Sequence, residues 1–78
     1  MLLSEAVIKR INFFLNKKNM TLWDLYKQSG VPKSTICNLM NSPTVLPKLI
    51  TLQHICEGLG ITIREFFDDD LFDDTEQE

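Results

Sequence analysis

The 78-residue sequence lacks the features that mark enzymes, membrane proteins and secreted proteins. It has no phosphate-binding P-loop, no Gly-rich dinucleotide turn and no Ser/His/Asp order, so we expect neither enzyme activity nor a cofactor. No apolar run approaches the roughly 18 residues that a transmembrane helix needs. The first residues also lack the basic and apolar segments of a secretion signal. We therefore expect a cytoplasmic protein with no membrane partner.

Cysteine is also scarce. Cys37 and Cys56 are the only two, and they fall in separate predicted helices without a CxxC pair or a neighbouring His at metal-ligand spacing. We therefore predict no metal site and interpret both as free thiols that pack as small apolar side chains. A redox-sensing role for Cys37 is the alternative.

Positive charge is absent from the end of the chain. Residues 1–67 carry eight Lys and Arg against four carboxylates, a net of +4, whereas residues 68–78 carry seven acids and no base. The overall charge of −3 therefore reflects the tail, and it does not exclude nucleic acid as a partner of residues 1–67. We predict one domain over residues 1–67, followed by a disordered acidic tail. In the alternative, Leu71 and Phe72 dock on the domain or on a partner.

The apolar spacing predicts five helices and no strand. The first covers residues 4–18 with Ser4 as its N-cap, and the second starts at Thr21, whose hydroxyl forms a capping box with Asp24. Gly30 fits the residue after a helix C-terminus, where a positive φ is needed. The third helix starts near Pro32. The fourth covers residues 48–58, with Leu49 among its inward side chains, and a short last helix follows from Thr62.

Residues 20–67 contain a recurring set of turn and apolar positions, namely Thr21, Gly30-Val31, Ser34-Thr35, Ile36, Leu39, Pro47, Leu49 to Leu52, Ile55 and Leu59 to Phe67. In these positions the segment resembles the lambda-repressor-like helix-turn-helix family, also called the Cro or Xre type. The resemblance implies a compact all-α, five-helix DNA-binding domain, with the helix-turn-helix at about 21–41 and double-stranded DNA as partner.

The resemblance also implies which side chains touch DNA. If the third helix lies in the major groove, base contacts come from Lys33, Ser34, Cys37 and Asn38. Contacts to the DNA backbone come from the start of the second helix, from the third helix and from lysines. These predicted backbone residues are Thr21, Thr35, Asn41, Lys17, Lys18, Lys27 and Lys48.

The function implied by the family is a sequence-specific transcriptional regulator, with a repressor expected over an activator. We expect it to bind as a homodimer, with two copies in successive major grooves. The alternative is a protein-interaction module, an antitoxin or adaptor, with Trp23, Tyr26 and the Leu71-Phe72 tail in the interface. For Trp23 and Tyr26, however, core packing is our first expectation. The sequence departs from the family at Leu22, Tyr26 and Pro32, where Gln, Ala and Ser or Thr are usual.

Overall fold

The computed structural model describes residues 1–42 and 44–76. A single 3₁₀ turn at Asp70–Phe72 follows the last α-helix. Within the described residues there is no strand, so the predicted all-α fold with five helices is confirmed. The helices are α1 Leu3–Lys17, α2 Leu22–Ser29, α3 Lys33–Asn41, α4 Leu49–Leu59 and α5 Ile63–Phe66.

The start of α1 differs from the prediction. The N-cap is Leu2 rather than Ser4, and its amide donates to the Glu5 carboxylate at 2.9 Å. The Glu5 carboxylate thus accepts from the amide of the N-cap residue, whereas no side chain caps the amides that follow it. Ser4 lies inside the helix and is fully buried. The helix ends at Lys17, one residue earlier than predicted.

The turn between α2 and α3 forms as predicted. The Thr21 hydroxyl accepts from the Asp24 amide at 3.1 Å, and the Asp24 carboxylate accepts from the Thr21 amide at 2.9 Å. Gly30 ends α2 with φ at 73°, and its amide donates to the Tyr26 carbonyl. Because side chains strain this left-handed conformation, glycine is the residue that lets the chain turn here.

Helix α2 packs against α4 at very short range. A Cβ atom added at Gly58 would lie 2.7 Å from the Ser29 Cβ and 2.8 Å from the Ser29 backbone. Glycine in α4 is therefore what allows the end of α2 to approach. The core lies between these helices and α1, and its largest fully buried side chains are Phe14, Phe66, Ile11, Leu25, Ile36, Ile55 and Leu59.

One residue predicted to face the core from α4 does not. Leu49 is 76% exposed, because α4 begins at this residue and its buried face starts only at Leu52. Leu49 lines an open apolar cleft together with Leu46 and Phe67, which are also partly exposed. We call these three residues the α4 patch.

Arg10 ties α1 to the C-terminal part of the chain. Arg10 is only 6% exposed. Its guanidinium donates to the carbonyls of Phe66 at 2.6 Å, Glu65 at 2.9 Å and Asp68 at 3.2 Å. It also pairs with the Asp69 carboxylate at 3.3 Å. These acceptors lie at the end of α5 and just beyond it, where helix carbonyls have no partner within the helix.

The tail is folded against the domain as far as Glu76, so its predicted disorder is not found in residues 68–76. The Phe72 ring packs on Phe66 and Phe67, with centroid separations of 5.9 and 4.8 Å. The Leu3 amide donates to the Glu76 carbonyl at 3.1 Å, which joins the tail to the start of α1. Residues 77 and 78 of the predicted tail lie outside the described residues. The tail thus docks on the domain, as the alternative interpretation of Phe72 expected.

Candidate nucleic-acid interface

Helix α3 presents a polar face because its apolar residues all point the other way. Ile36 and Leu39 are buried, with spacing that places them on one side of the helix, and Val31, which precedes the helix, is buried as well. Pro32 precedes the helix as its N-cap, with φ at −56°, and supplies no side-chain cap. The opposite side faces solvent, and this exposed face consists of Lys33, Ser34, Thr35, Asn38 and Asn41.

Two asparagines on the exposed face already make hydrogen bonds. The Asn41 side-chain amide donates to the Cys37 carbonyl at 2.9 Å, within the last turn of α3. The Asn38 side-chain oxygen accepts from the Ser42 hydroxyl at 3.3 Å. The side-chain nitrogen of Asn38 is still available to donate to adenine N7. Bidentate binding also needs the side-chain oxygen, which has to accept from adenine N6. A long bond to an exposed hydroxyl is weak enough to exchange for such a partner.

Cys37 lies at the edge of this face, toward α2. It is half-buried, and its Sγ atom lies 3.0 Å from the Tyr26 hydroxyl. This hydrogen bond, followed by burial, raises the pKa of Tyr26 above its usual value. Of the four residues predicted to contact bases, Cys37 is the least accessible. Tyr26, where the family usually has alanine, therefore joins α2 to α3 through this hydrogen bond.

The opposite edge of the face borders the loop that leads to α4. Thr35 and Asn38 line a cleft with Leu46, Pro47 and Lys48. Lys48 is exposed and is the N-cap residue of α4, a helix start without a side-chain cap. A lysine and free helix amides therefore lie beside the two α3 side chains, an arrangement that favours an anion such as a phosphate.

The start of α2 is less favourable for an anion than the sequence suggested. Thr21 is exposed, and its hydroxyl accepts from the Asp24 backbone amide. Bonds from the amide and hydroxyl of Thr21 lower the pKa of Asp24, and Lys27 lowers it further. The carboxylate is therefore ionised at neutral pH and opposes a phosphate at the same helix end.

The predicted backbone lysines occupy different sites around α3. Lys27 is exposed on α2, and Lys17 and Lys18 lie at the end of α1. A Cβ added at Gly60 would lie 3.7 Å from Lys18 Nζ, which places this ammonium at the C-terminal end of α4. Lys48 is at the other end of that helix, roughly 16 Å away for eleven residues. Lys18 and Lys48 therefore lie at opposite ends of α4, and the predicted lysines do not form one cluster.

Trp23 was expected in the core, yet it is 59% exposed. It occupies the second position of α2, and its ring contacts Tyr26 edge-to-face, with centroids 6.2 Å apart. The sequence contained a signal for this exposure. With Leu25 as the buried residue of α2, the spacing places Trp23 and Lys27 together on a side away from the core. The family resemblance implied no DNA contact for Trp23, which was named only in the protein-interaction alternative.

Comparison with known families agrees with this architecture. The family model of the Cro/C1-type HTH DNA-binding domain matches residues 10–71 of the chain. This match covers α2 to α5 and the second half of α1. No curated protein and no solved structure gives a significant match. Among the described residues, no helix is both long enough and apolar enough to cross a membrane. On the evidence of the matching family and of the helix-turn-helix at α2 and α3, the chain belongs to the Cro/C1-type HTH DNA-binding domains.

Proposed function

We propose that the chain is a sequence-specific transcriptional repressor that reads the DNA major groove with α3. The observation that carries this proposal is the polar face of α3, which the buried Ile36 and Leu39 direct outward in a domain of a DNA-binding family. A helix of this kind can enter the major groove, where base edges carry a distinct pattern of donors and acceptors.

Each residue of the face has a proposed role. Lys33 donates to guanine O6 or N7, Asn38 binds adenine through N6 and N7, and Ser34 contacts a base edge. Cys37 contributes an apolar contact at the edge of the face, since its sulfur meets the Tyr26 hydroxyl. The proposed backbone contacts are Thr35 and Asn41 on α3, with Thr21, Lys17, Lys18, Lys27 and Lys48 around it.

We further propose that two copies bind one site. One α3 offers few base contacts, and a two-fold site lets a second copy read the next major groove about 34–36 Å away. The α4 patch supplies exposed apolar surface for the contact between copies, and Leu46 lies close to the recognition helix because it also lines the Thr35 cleft. Bound over a promoter, such a dimer represses by blocking polymerase.

Selection from a random duplex library at low salt tests the proposal. The full chain is compared with a Lys33→Ala, Asn38→Ala double variant and with Lys9→Ala, Asn12→Ala. This control removes the same two side-chain types from exposed positions on α1. We expect a recurring two-fold site with the full chain and the control, and none with the α3 variant. Placing the recovered site over a promoter then tests repression. If the folded chain enriches no sequence, specific DNA recognition is refuted.

A protein-interaction module, such as an antitoxin or adaptor, is the second candidate. The exposed α4 patch favours it, because contiguous exposed apolar side chains commonly mark protein contacts. Salt separates the two functions. Binding to DNA weakens steeply with salt, with a log–log slope of about −0.9 for each phosphate neutralised, whereas an apolar protein contact hardly responds.

A further inference from the structure

Trp23 is the single tryptophan of the chain, and the proposed function gives it no role. Trp23 is exposed at the second position of α2, although large aromatic side chains usually bury most of their surface. Its ring is nevertheless held in place by an edge-to-face contact with Tyr26, at an interplanar angle of 80°. An ordered and exposed indole offers both an apolar surface and one N–H donor.

The contacts of Tyr26 connect this indole to the recognition helix. Trp23 contacts Tyr26, and the Tyr26 hydroxyl lies 3.0 Å from the Cys37 sulfur at the edge of the α3 face. Trp23 therefore flanks α3 on the α2 side, while Lys48 flanks it on the other side. A duplex that receives α3 in its major groove must bring one strand past each flank.

The charges around Trp23 favour a polyanion. Lys27 follows Trp23 by four residues and so shares its side of α2. Lys33 lies one helical turn before Cys37, on the edge of α3 that faces α2. Asp24 is the nearby acid, and its carboxylate already bonds the Thr21 amide at 2.9 Å, at the cap of the helix. An exposed apolar ring on the same side of its helix as Lys27 suits the deoxyribose and phosphate of a DNA strand.

We propose that Trp23 is a DNA-backbone contact, with its indole N–H donating to a phosphate oxygen and its ring lying against the adjoining deoxyribose. The inference rests on the proposed function and adds a residue to that interface. Because phosphates carry no direct sequence information, this contact fixes the position of α3 on the duplex and adds affinity without changing base preference. The Trp23 contact adds a phosphate interaction beside the start of α2, where the Asp24 carboxylate disfavours phosphate binding.

Tryptophan fluorescence tests the contact directly, since Trp23 is the only emitter of its kind. The probe is a dye-labelled random-sequence duplex of about 24 base pairs, long enough for two helical turns, at low salt. Binding is followed by dye anisotropy and Trp23 by its own emission and by acrylamide quenching. We expect saturating duplex to change the emission and to protect the ring from acrylamide. In the fluorescence control, Gln53→Trp in a Trp23→Phe background, the emission should not respond, because Gln53 is exposed on α4 away from α3.

Affinity measurements on variants give the second readout. Trp23→Ala should weaken duplex binding about tenfold, the loss of one hydrogen bond to a charged group. Trp23→Phe retains a ring for Tyr26 to contact, so this variant should lose only the part of the duplex affinity that comes from the indole N–H. Neither variant should alter the salt slope because indole is neutral, whereas Lys27→Ala should reduce the slope by about 0.9.

The outcomes separate this inference from the proposed function. If anisotropy reports binding but the Trp23 emission and the affinity of both variants are unchanged, the backbone contact is refuted and DNA binding stands. If emission changes with protein concentration in the absence of DNA, Trp23 belongs to a protein contact and the inference is also refuted. If the folded chain gives no anisotropy change at low salt, the proposed function itself fails.

Discussion

Replacing Arg10 with methionine removes the guanidinium that joins α1 to α5 and the tail while keeping an unbranched apolar side chain. Three carbonyls lose a donor, and they differ in access to water. The bond to Phe66 is buried, whereas the bonds to the exposed residues Glu65 and Asp68 are only partly buried. Only the Phe66 carbonyl therefore bears the full cost of an unpaired buried acceptor, about 1–3 kcal/mol.

The other losses are smaller. The Asp69 side chain is 43% exposed, so its pairing with Arg10 contributes little to stability. Stacking of the guanidinium on Phe14, 4.5 Å from the ring centroid, adds about 0.5–1 kcal/mol. Together with the two partly buried bonds, the free energy of unfolding should fall by about 3 kcal/mol. That is a large part of the roughly 4–12 kcal/mol expected for a chain of this length.

Thermal and urea unfolding, followed by far-ultraviolet circular dichroism, measure this loss. A decrease of about 3 kcal/mol should lower the Tm by roughly 12–24 °C in a domain of this size. Arg10→Lys keeps the charge but not the several N–H donors of the planar guanidinium. Its free energy of unfolding should therefore fall by about half as much. Arg64→Met removes an exposed arginine as the control and should change stability by less than about 0.5 kcal/mol. A Tm for Arg10→Met within a few degrees of the unaltered chain would refute the reasoning.

Three further predictions concern the tail, the helix contact and the thiols. Deleting residues 68–78 should lower the Tm by about 5–15 °C, since it removes aromatic packing and Arg10 partners, whereas a disordered tail would leave the Tm unchanged. Gly58→Ala should destabilise the fold by about 1–3 kcal/mol in urea unfolding because its Cβ would meet the Ser29 backbone, with Glu57→Ala as an exposed control. Burial raises the pKa of the Cys56 thiol to about 11, so an alkylating reagent at pH 8 should modify the more accessible Cys37 first. Equal rates in the folded chain would contradict this.

Local sequence signals predicted much of the fold. Capping of α2 by Thr21 and Asp24, the left-handed Gly30 and the buried stripe of α3 each depend on residues within a few positions of one another. Such interactions are visible in the spacing alone. The candidate site residues came from the family resemblance, and the exposure of Lys33, Ser34 and Asn38 agrees with their place between the apolar positions of α3.

The features that sequence analysis missed depend on contacts between distant parts of the chain. Arg10 is separated from Phe66 by 56 residues, and no local pattern shows that a helix end needs its guanidinium. Docking of Phe72, which was only the alternative to a disordered tail, likewise depends on a surface that exists only once α1 and α5 have packed. Trp23 was misplaced for a different reason, since hydrophobicity predicts burial while its helical position predicts exposure.

The most direct test of the central claim is the base preference of a single α3 variant at a defined site. Affinities of the unaltered chain and of Lys33→Ala would be measured for the selected duplex and for each single base-pair substitution within it. If Lys33 contacts a base, the variant should lose about 1–3 kcal/mol of discrimination at one G·C pair and keep its preferences elsewhere. Equal weakening at every position, with a salt slope reduced by about one, would instead identify Lys33 as a phosphate contact and contradict base recognition by this residue of α3.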